Sequence, residues 1–361
     1  MQHLPARILA TALLACGAPA MAALPGFQQV QQAFRPSDTR VLDRDGELLQ
    51  RVRTDASVRR GQWVMLADVS PALRQAMLLS EDRRFYEHSG VDWQAVSAAA
   101  WGNLWATRTR GASTITMQLA GLLDEDLRRR SSDGRDLPQK LGQAWAAREL
   151  ERSWRKDQIL EAYLNTVPFR GEIVGIDALS RSLFGKAPHG LDAREAALAA
   201  ALVRAPNARP AAVAQRGCDL LRSMQPGTRP DCPALEAFAN AALSRRDWPA
   251  SEGIAPHLAR RLVRQQPAPP QGEIRTSLRA ALQRFALSTL QRHLRELNGR
   301  NVEDGAVVVL DNASGEVLAW VGSPGDSLSR ASEVDGVLAQ RQPGSTLKPF
   351  LYAQAIAQKR L

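Results

Sequence analysis

From Ser70 to about Arg204 the apolar residues recur at intervals of three and four with few β-branched runs, which predicts a compact, mainly α-helical domain. Ser70-Pro71 supplies an N-cap and a preorganised first residue for a helix expected to run to near Gly90. On it Leu73, Met77, Glu81, Phe85 and His88 would share one face. A second helix start is expected around Gly111 to Gln118, a third helix carries Lys140 to Arg152, and a fourth spans Ile159 to Asn165, burying Ile159, Leu160, Tyr163 and Leu164. Ala205 to Gly272 is richer in proline and arginine and reads as small helices followed by a linker. An amphipathic helix is expected from Ser277 to about Leu297. After Gly305 the period changes to two: Ala306 to Leu310, the turn Asp311-Asn-Ala-Ser-Gly315, and Glu316 to Val321 form a β-hairpin signal that opens an α/β unit.

The first residues bear on the compartment. Arg7 precedes an apolar stretch from Ile8 to Ala23 that ends in small residues, the pattern of a secretory signal. The same stretch is barely long enough to remain as an anchor, and Leu13-Leu-Ala-Cys16 resembles a lipoprotein cleavage box. All three readings export the rest of the chain. Beyond it the thiols are Cys218 and Cys232, which either form a disulfide worth about 3 kcal/mol or stay unpaired. Five histidines and no Cys-x-x-Cys pair give poor support for a resident metal.

At 361 residues and 44% hydrophobic content the chain can bury sizeable cores. The net charge of +10 favours a partner bearing phosphate, whether nucleic acid, an anionic membrane or a phosphorylated substrate. Nucleic acid is the poorest of these, since no basic helix, zinc knuckle or aromatic ribonucleoprotein motif is present.

Four constellations could carry chemistry. Glu81 on an inward face either lines a cleft, where a general base is wanted, or sits at the stripe's edge paired with Arg84 or His88. Gly111-Ala-Ser-Thr-Ile-Thr-Met-Gln118 crowds Ser113, Thr114 and Gln118 around a helix start that either receives an anion or is simply capped. Lys140, Gln143 and Arg148 are spaced to approach one side of a helix, where Lys140 would neutralise a phosphate or merely be solvated. Ser345-x-x-Lys348 pairs a nucleophile with an amine across one turn, as Ser153-Trp-Arg-Lys156 also does by spacing alone.

In order and wording these segments resemble the family-51 glycosyltransferase domain of class A penicillin-binding proteins. The matching pieces are Glu81-Asp-Arg-Arg-Phe-Tyr-Glu-His-Ser-Gly90, Gly111 to Leu119, the Lys140 segment, and Ile159 to Asn165 running on to Phe184-Gly-Lys186. Met117-Gln118 and Lys140-x-x-Gln143 resemble the 1C-type subgroup. Arg341-Gln-Pro-Gly-Ser-Thr-Leu-Lys-Pro-Phe350 resembles the start of the penicillin-binding transpeptidase domain.

The resemblance implies a lysozyme-like glycosyltransferase fold at 24–215, after a leader or anchor at 1–23. A helical linker region at 216–300 and an incomplete α/β transpeptidase domain at 301–361 would follow. It implies a peptidoglycan glycosyltransferase on the periplasmic face of the bacterial cytoplasmic membrane, polymerising lipid II into glycan strands with release of polyprenyl diphosphate. The alternative is a noncatalytic lipid II-binding or cell-wall scaffold protein. By the resemblance Glu81 is the general base and Ser113, Thr114, Gln118, Lys140, Gln143 and Arg148 bind substrate. A divalent cation, Mg or Mn, is a candidate aid to the leaving diphosphate. Partners would be lipid II, the growing glycan, the membrane surface and other cell-wall synthases, with no nucleic acid. Ser345 and Lys348 match the transpeptidase nucleophile and base, but with 16 residues after Ser345 no cross-linking is expected of this chain.

The sequence departs from the commoner family pattern at two places: Gln143 stands for a second Glu, and Gly121-Leu122 for a Lys-Asn pair.

Overall fold

The computed structural model describes residues 24–97, 113–124, 137–244, 251–266 and 272–360, with the side chains of 137–141 outside that description. The leader at 1–23, Gly111 and the arginines at 128–130 lie outside the described residues.

A short helix α1 (Phe27–Ala33) and strands β1 (Asp38–Leu42), β2 (Leu48–Arg53) and β3 (Arg59–Arg60) precede the helical body. That body comprises α2 (Pro71–Glu81), α3 (Ile115–Leu123), α4 (Leu137–Ser153), α5 (Lys156–Thr166), β4 (Pro168–Arg170), β5 (Ile173–Val174), α6 (Ile176–Leu179) and α7 (Ala193–Arg204). α8 (Pro210–Met224) and α9 (Cys232–Leu243) close it. The largest side chains sealed in its core are Tyr163, Phe85, Phe169, Leu73, Met77, Leu119, Leu150 and Leu160. From Glu195 to Leu202 every residue of α7 is buried, so this helix, apolar nearly all round, runs through the interior. Asp192 caps it by accepting the N–H groups of Arg194 at 2.9 Å and Glu195 at 3.0 Å, while Glu195 returns a bond to the Asp192 N–H at 2.9 Å. Lys186 then pairs with the nearly sealed Glu195 at 2.8 Å. The Phe184-Gly-Lys186 motif thereby anchors the start of α7.

Two local expectations are corrected. Ser70 precedes α2, but its hydroxyl donates to the Leu191 carbonyl at 2.7 Å instead of capping the helix. α2 stops at Glu81, well before Gly90: the backbone of Asp82 leaves the helical region, at φ −160° and ψ 82°. The Asp82 carboxylate accepts from the Ile115 N–H at 3.1 Å and meets His88 Nε2 at 3.0 Å. These partners lie across the chain, and reaching them ends the helix. Phe85 is still buried, through a single 3-10 turn at Phe85–Glu87.

The region expected to be linker is more structured than its composition suggests. β6 (Ser251–Gly253) and β7 (Glu273–Arg275) join β1 and β2 in a four-stranded sheet ordered β6-β2-β1-β7, in which β1 pairs parallel with β7. α10 (Pro256–Gln265) packs Ala259, Leu262 and Val263 on Val41, Val52 and Ile274 of that sheet. α11 (Ala280–Glu296) and the hairpin β8 (Val307–Leu310) with β9 (Val317–Val321) follow, as expected. Gln283 is fully buried and satisfied: its amide donates to the carbonyls of Ile254 and Trp320, both at 2.8 Å, and accepts from the Trp320 N–H at 2.7 Å. One side chain thus ties α11 to both neighbouring layers. Ser345, in a 3-10 turn, and Lys348, which opens α12 (Lys348–Ala357), are both exposed.

Candidate active site

Glu81 is the last residue of α2, where unpaired helix carbonyls already concentrate negative charge. Its side chain is only 6% exposed, so the carboxylate needs partners, and it has them on both oxygens. Oε1 accepts from the Ser80 hydroxyl at 2.8 Å and from Arg204 Nε at 3.3 Å. Oε2 accepts from Gln118 Nε2 at 3.1 Å. Arg204 also donates to the Ser80 carbonyl. Its own side chain is 60% exposed, so Arg204 closes the carboxylate from the solvent side.

Gln118 is held from both ends. The Tyr163 hydroxyl donates to Gln118 Oε1 at 2.9 Å, leaving the amide nitrogen toward Glu81. Burial, reinforced by the charges of Glu81 and Asp82, pushes the Tyr163 phenol well above its ordinary pKa, so it stays a neutral donor at physiological pH. The reversed amide would aim a carbonyl at a carboxylate. An ionised carboxylate only accepts, so Glu81 sets the direction of the Gln118 amide, and the Tyr163 hydroxyl holds the amide's other end.

α3 is held beside this pair by its cap. Thr114 accepts the Met117 N–H at 3.1 Å and donates to the Gly90 carbonyl at 2.6 Å. Gly90, at φ +86°, lies so close to the backbone of Ala147 and Arg148 that a Cβ there would fall 2.9 Å from it. The expected polar start of α3 is thus, for Thr114, a buried structural cap; Ser113 stands half-exposed just ahead of it. Beneath, Glu151 accepts from Thr116 at 2.6 Å and Lys156 at 2.7 Å, and the Lys156 ammonium sits 4.4 Å from the Phe85 ring centroid.

On α4, Gln143 is half-exposed and its amide lies against Gly121 of α3, whereas Arg148 is exposed. Lys140 belongs to the same helix, but its side chain lies outside the described residues. Asn165 is scaffold: its amide meets both the N–H and the carbonyl of Val64 at 2.8 Å. The alternative pairings considered for Glu81 are not those found, since Arg84 binds Asp92 and His88 binds Asp82.

The pattern brings Glu81 and Gln118 together as expected and adds Ser80, Tyr163 and Arg204, which sequence reading missed. A tyrosine among the aliphatic residues of α5 was the one available signal, because a buried phenol seeks a partner. Arg204 gave none beyond its place in a basic last turn.

No group of three or more His, Cys, Asp or Glu side chains able to hold a metal occurs among the described residues. A hard divalent cation wants several oxygen ligands, mostly carboxylates. Around this site stand one carboxylate already paired with Arg204, a second committed to His88, and the neutral amide of Gln143. The described donor set does not fit such a cation. A concavity of about 370 Å³ lined by Asp192, Arg194, Leu221, Gln225, Leu235 and Phe238 lies at the start of α7, the end opposite Arg204. Both acidic residues that line it, Asp192 and Asp231, are helix caps.

Comparison with known proteins places these observations in a family. Residues 45–225 match the family model described as transglycosylase, and residues 305–361 match the penicillin binding protein transpeptidase domain. Penicillin-binding protein 1C of Escherichia coli (strain K12) is 35% identical over 308 residues, covering 82% of this chain and 38% of that protein. Penicillin-binding protein 2D of Bacillus subtilis (strain 168) is 30% identical over 314 residues, 81% of this chain and 44% of its own. The biosynthetic peptidoglycan transglycosylase of Aeromonas hydrophila is 39% identical over 144 residues, 40% of this chain and 59% of that one. The chain thus spans less than half the length of the first two relatives. With its helical body, its Glu81 site and the match over residues 45–225, the chain belongs to the transglycosylase family, followed by the beginning of a penicillin-binding transpeptidase domain.

Proposed function

We propose that this protein is a peptidoglycan glycosyltransferase that joins lipid II disaccharides into glycan strands. The observation that carries the reading is the Glu81 carboxylate, nearly sealed yet bordered by an exposed arginine and oriented by a donor whose own direction is fixed. Glu81 takes the proton from the sugar 4-hydroxyl as that oxygen forms a bond to the anomeric carbon of the growing chain. The bond from that carbon to the diphosphate oxygen breaks, and polyprenyl diphosphate leaves with the electron pair.

For Oε1 to receive the proton, one of its two donors gives way. Arg204 is the exposed one and can turn toward the substrate diphosphate, which a guanidinium binds well. Lys140 and Arg148 supply further positive charge for the leaving group. Ser113, Gln118 and Gln143 hold the sugars. Thr114 contributes by fixing α3. Given the donor set, no step is assigned to a divalent cation.

Lipid II and the glycan strand are the substrates, met at the membrane surface on the periplasmic face, and other cell-wall synthases are partners. Export is supported by a disulfide between Cys218 and Cys232, whose Cα atoms are 5.6 Å apart. Such bonds persist in oxidising compartments. Among the described residues no helix is long and apolar enough to cross a membrane.

The test is incubation of the detergent-solubilised protein with labelled lipid II, with and without a chelator, and separation of polymer from monomer. Polymer together with released polyprenyl diphosphate is expected, with no effect of the chelator. Retained lipid II binding without polymer would replace this reading by that of a noncatalytic scaffold.

A further inference from the structure

Gly121 lies within α3, where glycine is less favourable than alanine because the unfolded chain has more freedom to lose. It is buried, and no positive φ requires a glycine there. What the position demands is space: a Cβ on residue 121 would fall 2.9 Å from Nε2 of Gln143 and 3.5 Å from its Cδ. Gly121 follows Gln118 by three residues, so the two share a face of α3. The amide of Gln143 is therefore laid along the same strip as the Gln118 amide, which holds Glu81 Oε2 at 3.1 Å.

We propose that Gly121 is a positioning residue: by omitting a side chain it seats the Gln143 amide beside Gln118, so that two neutral amides meet the uncharged polar groups of the substrate, its sugar hydroxyls and N-acyl amide. This rests on the glycosyl-transfer reading above. Gln143 is half-exposed and free of net charge, and a carboxamide offers both donors and acceptors to a sugar. The two places where the sequence departs from the commoner family pattern thus form one contact: the glycine of α3 is the space that the glutamine of α4 occupies.

The experiment compares G121A, Q143A and the double variant with the parent for stability and for lipid II polymerisation. The group a new Cβ meets is the flexible end of a side chain, so G121A folds and the amide is displaced. G121A and Q143A should each raise KM for lipid II by about 10-fold, roughly the loss of one hydrogen bond, with a smaller change in kcat. Because both remove the same contact, the double variant should be no worse than either. A parental KM in G121A, or effects that multiply to about 100-fold, would overturn the proposal.

A thermal cycle gives an answer independent of turnover. With Q143A already in place, G121A should raise the melting temperature more than it does in the parent, since no amide has to move. Equal shifts in the two backgrounds would sink the inference. If the parent makes no polymer while the thermal coupling is present, the functional reading fails but the seating of Gln143 stands.

Discussion

At the scale of single residues, the site is a chain of dependence from Tyr163 through Gln118 to Glu81, with Arg204 closing the exposed side. Y163F removes a donor and leaves the half-buried Gln118 carbonyl without its protein partner. It should cost about 1 kcal/mol of stability and also lower turnover, because the freed amide can turn. Denaturant unfolding and polymerisation assays on the same preparation measure both effects. R204Q should behave differently. The Arg204 side chain is mostly exposed, so the melting temperature should stay near the parent's while polymerisation falls by about 10²-fold. Full activity in R204Q would show that the guanidinium is incidental. The sequence offered Glu81 and Gln118 because each sits in a run of chemically unusual neighbours. It could not offer Arg204, whose partner lies 123 positions away and whose own segment reads as an ordinary Ala-rich helix.

At the scale of elements, periodicity located the helices well and their ends poorly. α5 and α11 fall within a few residues of where apolar spacing put them, since each is long and strongly patterned. α2 ends early for a reason that spacing cannot carry: the Asp82 carboxylate is drawn to the N–H of Ile115 and to His88. Thr114 was legible as a cap but was equally readable as a ligand, and its two bonds decide for the cap. T114A should destabilise the protein by about 1 kcal/mol, with T114S restoring most of the loss in a thermal melt. The α8–α9 pair shares the main core and carries a cross-link of its own. Reducing Cys218–Cys232 releases a loop of 14 residues, which should cost about 3 kcal/mol and shift the unfolding midpoint. Since neither cysteine touches the Glu81 partners, polymerisation below the melting temperature should be unchanged. α8 packs on α2 and α7, which carry Glu81 and Arg204, so a loss of turnover there would mean that the cross-link is needed to hold those helices in place.

At the scale of the whole molecule, the four-stranded sheet was the feature least visible in the sequence. Its strands are short, two of only three residues, and come from segments some 200 positions apart, too brief for alternation to register. Yet that sheet makes the region after the helical body part of the fold, through the Arg40–Glu273 pair at 2.7 Å and the Gln50 amide donating to the Ser251 hydroxyl at 2.8 Å. Gln283 then carries the connection into the hairpin that opens the transpeptidase match. The hairpin itself was legible because its turn signals are local: Asp311 accepts from the Ser314 N–H at 2.9 Å, and Gly315 adopts φ +73°. The helical body and the start of the second unit were therefore readable from pattern, whereas the layer joining them required three-dimensional pairing.

All of this architecture converges on one carboxylate, and the most direct test is to remove its basicity alone. E81Q keeps the shape of the side chain while abolishing its ability to take a proton, and it turns one of the two accepting oxygens into a donor that must find a new partner beside Gln118 or Arg204. With labelled lipid II at saturating concentration, E81Q should fold with a modestly lower melting temperature, retain lipid II binding, and polymerise at a rate lower by about 10³-fold or more. Polymerisation by folded E81Q at a rate near the parent's would contradict it, and the base would have to be sought elsewhere.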